Sequence, residues 1–173
     1  MRKHLTEDEI KEINNLAETY WKYIVASFNP NNKYISNIMP SIEIKRKKHL
    51  AGITYWNDEE EILGMNITNH HIELFLTKNK PNLKIKQTII HELIHARGYN
   101  HGYIQKLKFS SHSGDELSEI VLKGIMILEK DKNLQETTIN ANGSVYKNNN
   151  FGFLTYTNTS NLIGKRTSIT IKR

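Results

Sequence analysis

The chain has 173 residues and a formal net charge of +6, a length that fits one domain with a small appendage. It contains no cysteine, which excludes disulfides and cysteine-ligated zinc, so any metal must be held by histidines and carboxylates. The sequence has neither an apolar run long enough for a bilayer nor a secretory signal, so we expect a cytoplasmic protein that does not enter membranes.

The first predicted element is a long amphipathic helix. Thr6-Glu-Asp-Glu9 has the pattern of a capping box, in which the first and fourth side chains bind each other's backbone N–H groups. Apolar residues then recur with the helical period as far as Phe28, and Asn29-Pro30 ends the helix. Tyr20 and Trp21 belong to this apolar stripe, so we expect them in the core.

Short strands are predicted after this helix. Alternating apolar residues predict strands from Pro40 to Lys45 and from Leu50 to Trp56, and the acidic run from Asn57 to Glu61 predicts a turn. Two further strands are predicted from Ile62 to Thr68 and from Ile72 to Leu76. Because the connections are short, we expect these strands to pair antiparallel in one layer, as a small antiparallel or mixed sheet.

A second helix is predicted from Leu83 to Ala96. Its apolar positions lie on one face, and three polar residues fall together near the border of that face: His91, Glu92 and His95. The second helix therefore carries the group of side chains that is most informative about function.

A third helix and a β-rich tail follow. Ser113-Gly-Asp-Glu116 has the capping-box pattern and opens the helix, in which Gly124 is expected to permit close packing against the second helix. From Asn133 onward Asn, Thr, Gly and Ser are dense and short β-like runs recur. We predict an α+β fold with a main domain at 1–132 and a small β-rich appendage at 133–173.

Residues 91–101 carry a zinc-binding motif. His91-Glu92-x-x-His95 places two imidazoles one turn apart on the same helix face, where both can bind one Zn²⁺ with Glu92 beside them as general base. A catalytic zinc needs three protein ligands and an open position for water. Gly98 lets the chain turn back after the helix, which makes His101 the natural third ligand, and the spacing matches the longer H-E-x-x-H-x-x-G-x-x-H pattern.

His101 has competitors for the third ligand position. His112 precedes the third helix, and a chain that doubles back could bring it over the motif helix. Glu116 and Glu119 of the third helix could also reach the metal, although a cap and an exposed helix face are their ordinary roles. Spacing alone leaves these alternatives open, with His101 preferred because its spacing belongs to a known motif.

Two further features bear on a substrate. Tyr99 and Tyr103 flank His101, where either could donate a hydrogen bond to an oxyanion or simply pack. The strand from Ile72 to Leu76 lies just before the motif helix. In zinc proteases an edge strand above the metal can bind an extended peptide by β-augmentation.

Between residues 10 and 130 the chain resembles the SprT-like metalloproteases. The most specific match is Gln87-Thr-Ile-Ile-His-Glu-Leu-Ile-His-Ala96, and weaker ones are Tyr20 to Phe28, Met39 to Lys45, Leu50 to Tyr55 and Ile72 to Leu76. The resemblance implies a zincin-like fold over 1–132 and a zinc-dependent endopeptidase that acts on proteins, including proteins crosslinked to DNA. It assigns the first two histidines of the motif as zinc ligands and the glutamate as the catalytic residue.

The chain departs from this family at two places. The family commonly has its third histidine in a His-Gly-x-x-aromatic segment, whereas His101-Gly-Tyr-Ile-Gln105 lacks the aromatic and His112-Ser-Gly has a displaced glycine. The family often carries a cysteine zinc ribbon, so the β-like tail from Ser144 to Lys172 is at most a metal-free analogue of it.

Two other functions fit the sequence. The basic turn from Lys45 to His49 and the tail residues Lys165, Arg166, Lys172 and Arg173 would suit a nucleic-acid-binding protein with a structural or degenerate metal site. Scattered lysines are equally typical of a solvated surface in a protein from an AT-rich genome. The third hypothesis is a zinc hydrolase of a non-peptide amide, whereas the preferred hypothesis has a protein or peptide as substrate.

Overall fold

The structure is a computed structural model that describes residues 6–30, 37–45, 52–62, 65–75, 83–99, 116–140, 143–149, 154–156 and 168–173. These residues form an α+β fold, as predicted. The chain divides into two compact units, Met1–Tyr99 and Asn100–Arg173. The sequence placed the boundary after residue 132, whereas the third helix, α3 (Glu116–Lys130), packs with strands of the C-terminal tail.

Helix α1 (Glu7–Ser27) begins with the predicted capping box. The Glu9 amide donates to Thr6 Oγ1 at 3.2 Å, and the Thr6 amide donates to Glu9 Oε2 at 2.8 Å. The apolar face is buried as expected, except that Ile10 stays exposed near the start of the helix. The buried side chains of the helix are Ile13, Ala17, Tyr20, Trp21, Tyr23 and Ile24.

The first unit contains a three-stranded sheet of β1 (Ser41–Lys45), β2 (Gly52–Ile62) and β3 (Met65–Phe75), in the order β1-β3-β2. The prediction of an acidic turn was wrong, because residues 57–61 lie within β2, which absorbs them with a register shift between Trp56 and Glu59. Of the two strands predicted at 62–68 and 72–76, residues 65–68 and 72–75 belong to the single strand β3, which pairs antiparallel with β2, whereas Ile62 ends β2.

Of the two sheet types predicted, antiparallel or mixed, the described strands form the mixed one. Strand β1 pairs parallel with β3 rather than with β2, its neighbour along the chain. Two reversals of chain direction separate β1 from β3, so the two strands run the same way and the sheet is mixed. Strand β3 is central and its Ile72 and Leu74 are fully buried.

Helix α2 (Leu83–Ala96) has the predicted bounds and packs on α1, β2 and β3. Its core-facing side chains include Ile85, Ile89, Ile90, Leu93 and Ile94. Gly98 terminates the helix with φ +95°. The amides of Gly98 and Tyr99 donate to the carbonyls of His95 and Ile94 at 2.8 and 3.3 Å, which is the Schellman pattern that satisfies the last carbonyls of a helix.

The second unit combines α3 with four antiparallel strands, β4 (Leu134–Asn140), β5 (Val145–Asn149), β6 (Leu154–Tyr156) and β7 (Ser168–Lys172), in the order β6-β5-β4-β7. The predicted β-rich character of the tail is therefore confirmed.

Gly124 lies where α3 approaches this sheet, and its closest neighbours are Ile171 of β7 and Ile139 of β4. The sequence had assigned this glycine to packing against α2. A Cβ added at Gly124 would lie 2.5 Å from Ile171 Cγ1, so the missing side chain is what permits the close approach to the sheet. None of the described helices is long and apolar enough to cross a lipid bilayer.

Candidate metal centre

The two motif histidines converge on one point. The Nε2 atoms of His91 and His95 are 2.9 Å apart, and the rings are nearly perpendicular at 83° with centroids separated by 4.5 Å. Both side chains are partly buried. In a tetrahedral zinc site two histidine nitrogens lie about 3.3 Å apart, so the pair would need to separate by about 0.4 Å to hold the ion. This arrangement fits two of the three protein ligands of a zinc site.

The protonation of His95 is set by a backbone carbonyl. Its Nδ1 lies 2.7 Å from the Tyr99 carbonyl oxygen, which only accepts hydrogen bonds, so Nδ1 carries the proton. In the neutral ring Nε2 then keeps its lone pair and faces His91. A carbonyl on the distal nitrogen is the usual partner that orients a metal-binding histidine. The tautomer of His95 therefore suits a metal ligand.

Glu92 lies between these histidines in sequence but is far more buried, with only 4% of its surface exposed. Its carboxylate Oε2 lies 2.5 Å from Thr54 Oγ1, and its backbone carbonyl lies 3.0 Å from the same hydroxyl. Because Thr54 belongs to β2, this contact joins the motif helix to an outer strand of the sheet. A buried carboxylate needs such hydrogen bonds, since burial without them is costly.

The segment after α2 is fixed to the end of α1. Arg97, which is 3% exposed, donates from Nε to the Phe28 carbonyl and from Nη1 to Asn37 Oδ1, both at 2.9 Å. The Asn37 carbonyl in turn accepts from Trp21 Nε1 at 3.0 Å, and the guanidinium lies 6.0 Å from the Trp21 ring centroid. Burial lowers the pKa of Arg97, while its interaction with Tyr99 acts in the opposite direction. We name this group, with Tyr99 included, the Arg97 clamp.

Tyr99 contributes to the clamp with both its ring and its hydroxyl. The hydroxyl donates to the Asn29 carbonyl at 2.7 Å, and the ring packs edge-on against Phe28 at 5.6 Å. The sequence left two roles open for Tyr99, donation to an oxyanion and packing. Because the hydroxyl is directed to the end of α1, the structure supports the packing role. Because the carbonyl of this residue accepts from His95, the clamp holds the partner that orients a predicted zinc ligand.

The third ligand stays a prediction. His101 and His112 lie outside the described residues, as does Tyr103. Within the ranges that the structure describes, no three His, Asp or Glu side chains come together as a metal site. Glu119 is exposed on α3, in keeping with an ordinary helix-surface position.

Several basic residues proposed for nucleic-acid binding have intramolecular roles. Lys45 lies 3.5 Å from the carboxylate of Glu43. Arg173 donates to the carbonyls of Leu128, Asp131 and Leu134, at the C-terminal end of α3 and just beyond it. Residues 46–49 and 157–167 lie outside the described part of the chain, and the structure bears on neither.

Sequence reasoning missed Thr54, Asn37 and the role of Arg97. None of them belongs to a motif, and each reaches its partner over a long stretch of chain, 38 residues in the case of Thr54 and Glu92. A buried arginine directly after the motif helix had no sequence pattern to mark it.

Comparison of the chain with protein-family models, with curated proteins and with solved structures finds no match in any of the three.

Proposed function

We propose that this chain is a zinc-dependent metalloendopeptidase of SprT-like type with a zincin-like main domain. The observation that carries the proposal is the convergence of His91 Nε2 and His95 Nε2 at 2.9 Å, with Glu92 on the same helical turn. Two imidazole nitrogens this close share a hydrogen bond, and both become ligands when a cation replaces the shared proton; a neighbouring glutamate is the group that peptide hydrolysis requires.

The metal would be held by His91, His95 and a third ligand, for which His101 is the first candidate and His112 the second. When bound, zinc supplies a Lewis acid that makes water more acidic and polarises a carbonyl group. The Tyr99 carbonyl keeps the proton of His95 on Nδ1, away from the ion. The absence of cysteine makes histidine and carboxylate the available strong ligands.

Glu92 performs the proton transfers. Its carboxylate takes a proton from the attacking water as the C–O bond forms at the scissile carbonyl, and it returns that proton to the amine nitrogen as the C–N bond breaks. Because Glu92 is almost completely buried, its carboxylate faces little competing solvent, which strengthens its interactions with reacting groups.

The sheet suggests where an extended substrate lies. Residues 72–75 belong to the central strand β3, and residues 72–74 are paired on both sides; the sequence had left open which strand forms the edge of the sheet. Among the described strands, β2 is at the border of the sheet, and its Thr54 contacts Glu92. An extended peptide that adds to β2 would therefore lie beside the catalytic glutamate.

Metal analysis and proteolysis together test the proposal. We expect about one zinc per chain after purification, and cleavage of a casein-like or DNA-bound protein. Glu92→Ala should abolish cleavage and keep the zinc, because Glu92 is not a ligand. Purified protein without zinc, or cleavage by Glu92→Ala at the wild-type rate, would contradict it.

Separate variants identify the third ligand. Zinc content is measured in His101→Ala and His112→Ala, with His91→Ala as the reference for the loss of a ligand. The residue whose removal lowers zinc content as strongly as His91→Ala is the third ligand. Retention of zinc in both variants would exclude both histidines.

A further inference from the structure

Thr54 is the polar member of a row of side chains that crosses the first sheet. In the registers of the sheet, Ile42 of β1 is paired with Ile72 of β3, and Ile72 is paired with Thr54 of β2. Directly paired residues point to the same face of a sheet. The contact of Thr54 with Glu92 identifies this as the face on which α2 packs. A hydroxyl thus stands next to the carboxylate at a position where apolar packing alone would accept a valine.

The two contacts of Thr54 Oγ1 differ in length and are not equivalent hydrogen bonds. The hydroxyl has one hydrogen, which it donates to one acceptor at a time. The contact with Glu92 Oε2 at 2.5 Å has the length of a charge-assisted O–H···O⁻ bond, whereas the contact with the Glu92 carbonyl at 3.0 Å is long for a hydroxyl donor. The hydrogen therefore belongs mainly to the carboxylate contact.

We propose that Thr54 is a positioning residue that fixes the Glu92 carboxylate for proton transfer. The inference rests on the proposed function. A glutamate side chain has several rotatable bonds, and a rotated carboxylate would miss the attacking water. Donation by Thr54 holds Oε2 and so limits rotation of the carboxylate that takes the proton. The same hydroxyl also lies 3.0 Å from the Glu92 carbonyl oxygen, so it is held close to the turn of α2 that carries the carboxylate.

The alternative is that the same hydrogen bond only anchors β2 to α2. An anchor affects the stability of the fold, and its loss leaves turnover by the folded protein unchanged. A positioning residue affects kcat with little change in KM, because the carboxylate acts in the transition state rather than in substrate binding. The two roles therefore differ in a kinetic measurement made on folded protein.

The test compares Thr54→Val, which removes the hydroxyl at nearly constant volume, with Thr54→Ser, which keeps it. We expect Thr54→Val to lower kcat by about tenfold to a hundredfold with KM within about twofold, as for the loss of one hydrogen bond to a charged group. Thr54→Ser should retain most of the wild-type kcat. Zinc content should stay the same in both variants, because Thr54 is not a predicted ligand.

A measurement without turnover accompanies the kinetics. In protein with ¹³C-labelled glutamate, the Glu92 carboxyl resonance is assigned by its loss in Glu92→Ala. It should shift in Thr54→Val and return toward its wild-type position in Thr54→Ser. A resonance that does not move overturns the inference, and so does a wild-type kcat in Thr54→Val. Wild-type protein without zinc or activity instead refutes the proposed function and with it the catalytic role of Thr54, while the resonance still reports whether the hydrogen bond forms.

Discussion

Replacement of Arg97 by alanine should destabilise the first unit and weaken metal binding together. The truncation leaves the Phe28 carbonyl, in a residue that is 7% exposed, without the Nε donor it now has. An unsatisfied buried acceptor costs about 1–3 kcal/mol. Loss of the contact with the Trp21 ring adds about 0.5–1 kcal/mol. Asn37 is exposed and water can replace its lost donor, so its contribution is small.

These terms give an expected loss of about 1.5–4 kcal/mol in the free energy of unfolding, a large part of the roughly 5–15 kcal/mol that keeps a domain folded. Urea denaturation of the metal-free protein followed by tryptophan fluorescence measures this loss. Trp21 and Trp56 are the two tryptophans of the chain and both lie in the first unit, so the signal reports that unit. Lys22→Ala, at an exposed position of α1, is the control and should change stability by no more than about 0.5 kcal/mol.

The same variant tests the connection between the clamp and the metal. Without Arg97, the turn that carries the Tyr99 carbonyl is attached to the end of α1 less firmly, since the Tyr99 contacts with Asn29 and Phe28 remain, and His95 is oriented less strictly. Loss of such an orienting partner typically weakens metal binding by about tenfold to a hundredfold. Zinc affinity is measured by competition with a chromogenic chelator. An Arg97→Ala protein as stable as Lys22→Ala, with unchanged zinc affinity, would refute the reasoning.

Further predictions concern the two units separately. Thr6→Ala should lower the free energy of unfolding by about 1 kcal/mol through loss of the capping box, whereas Thr6→Ser should leave it unchanged. Equal stability of the two variants in urea denaturation would contradict this prediction. Gly124→Ala should lower the thermal midpoint of the second unit in calorimetry. Overpacking against Ile171 costs about 1–3 kcal/mol, which outweighs the gain of about 1 kcal/mol in helix propensity. A raised midpoint would show that α3 can move away from the sheet to admit the added methyl group. Arg173→Ala should destabilise the second unit by about 1–3 kcal/mol, because carbonyls at the end of α3 lose their hydrogen-bond donor. Lys172→Ala is the control, and equal thermal midpoints of the two variants would show that Arg173 does not cap α3.

The parts of the candidate site that depend on residues close together in sequence were predictable. The i, i+4 spacing of His91 and His95 is a property of any α-helix, and Gly98 marked the end of that helix through its positive φ. What the spacing could not give was the burial of Glu92, which the sequence placed near the border of the apolar face. Burial depends on which neighbours cover a side chain, and Thr54 comes from a strand 38 residues away.

The sequence by itself determined the helices, the capping box of α1, the glycine end of α2 and the β-rich tail, because hydrophobic period and capping patterns act within a few residues. The capping box predicted at 113–116 lies partly outside the described residues and stays a prediction. Only the tertiary structure decided that β1 pairs with β3, that Arg97 holds the end of α1, and that Gly124 faces β7. The register of a sheet and the faces that meet in a core are set by contacts between distant segments, and many such arrangements share the same local pattern. The predicted zinc ligands His91 and His95 were therefore readable from their spacing, whereas the residues that contact Glu92 and hold the partner of His95 were not.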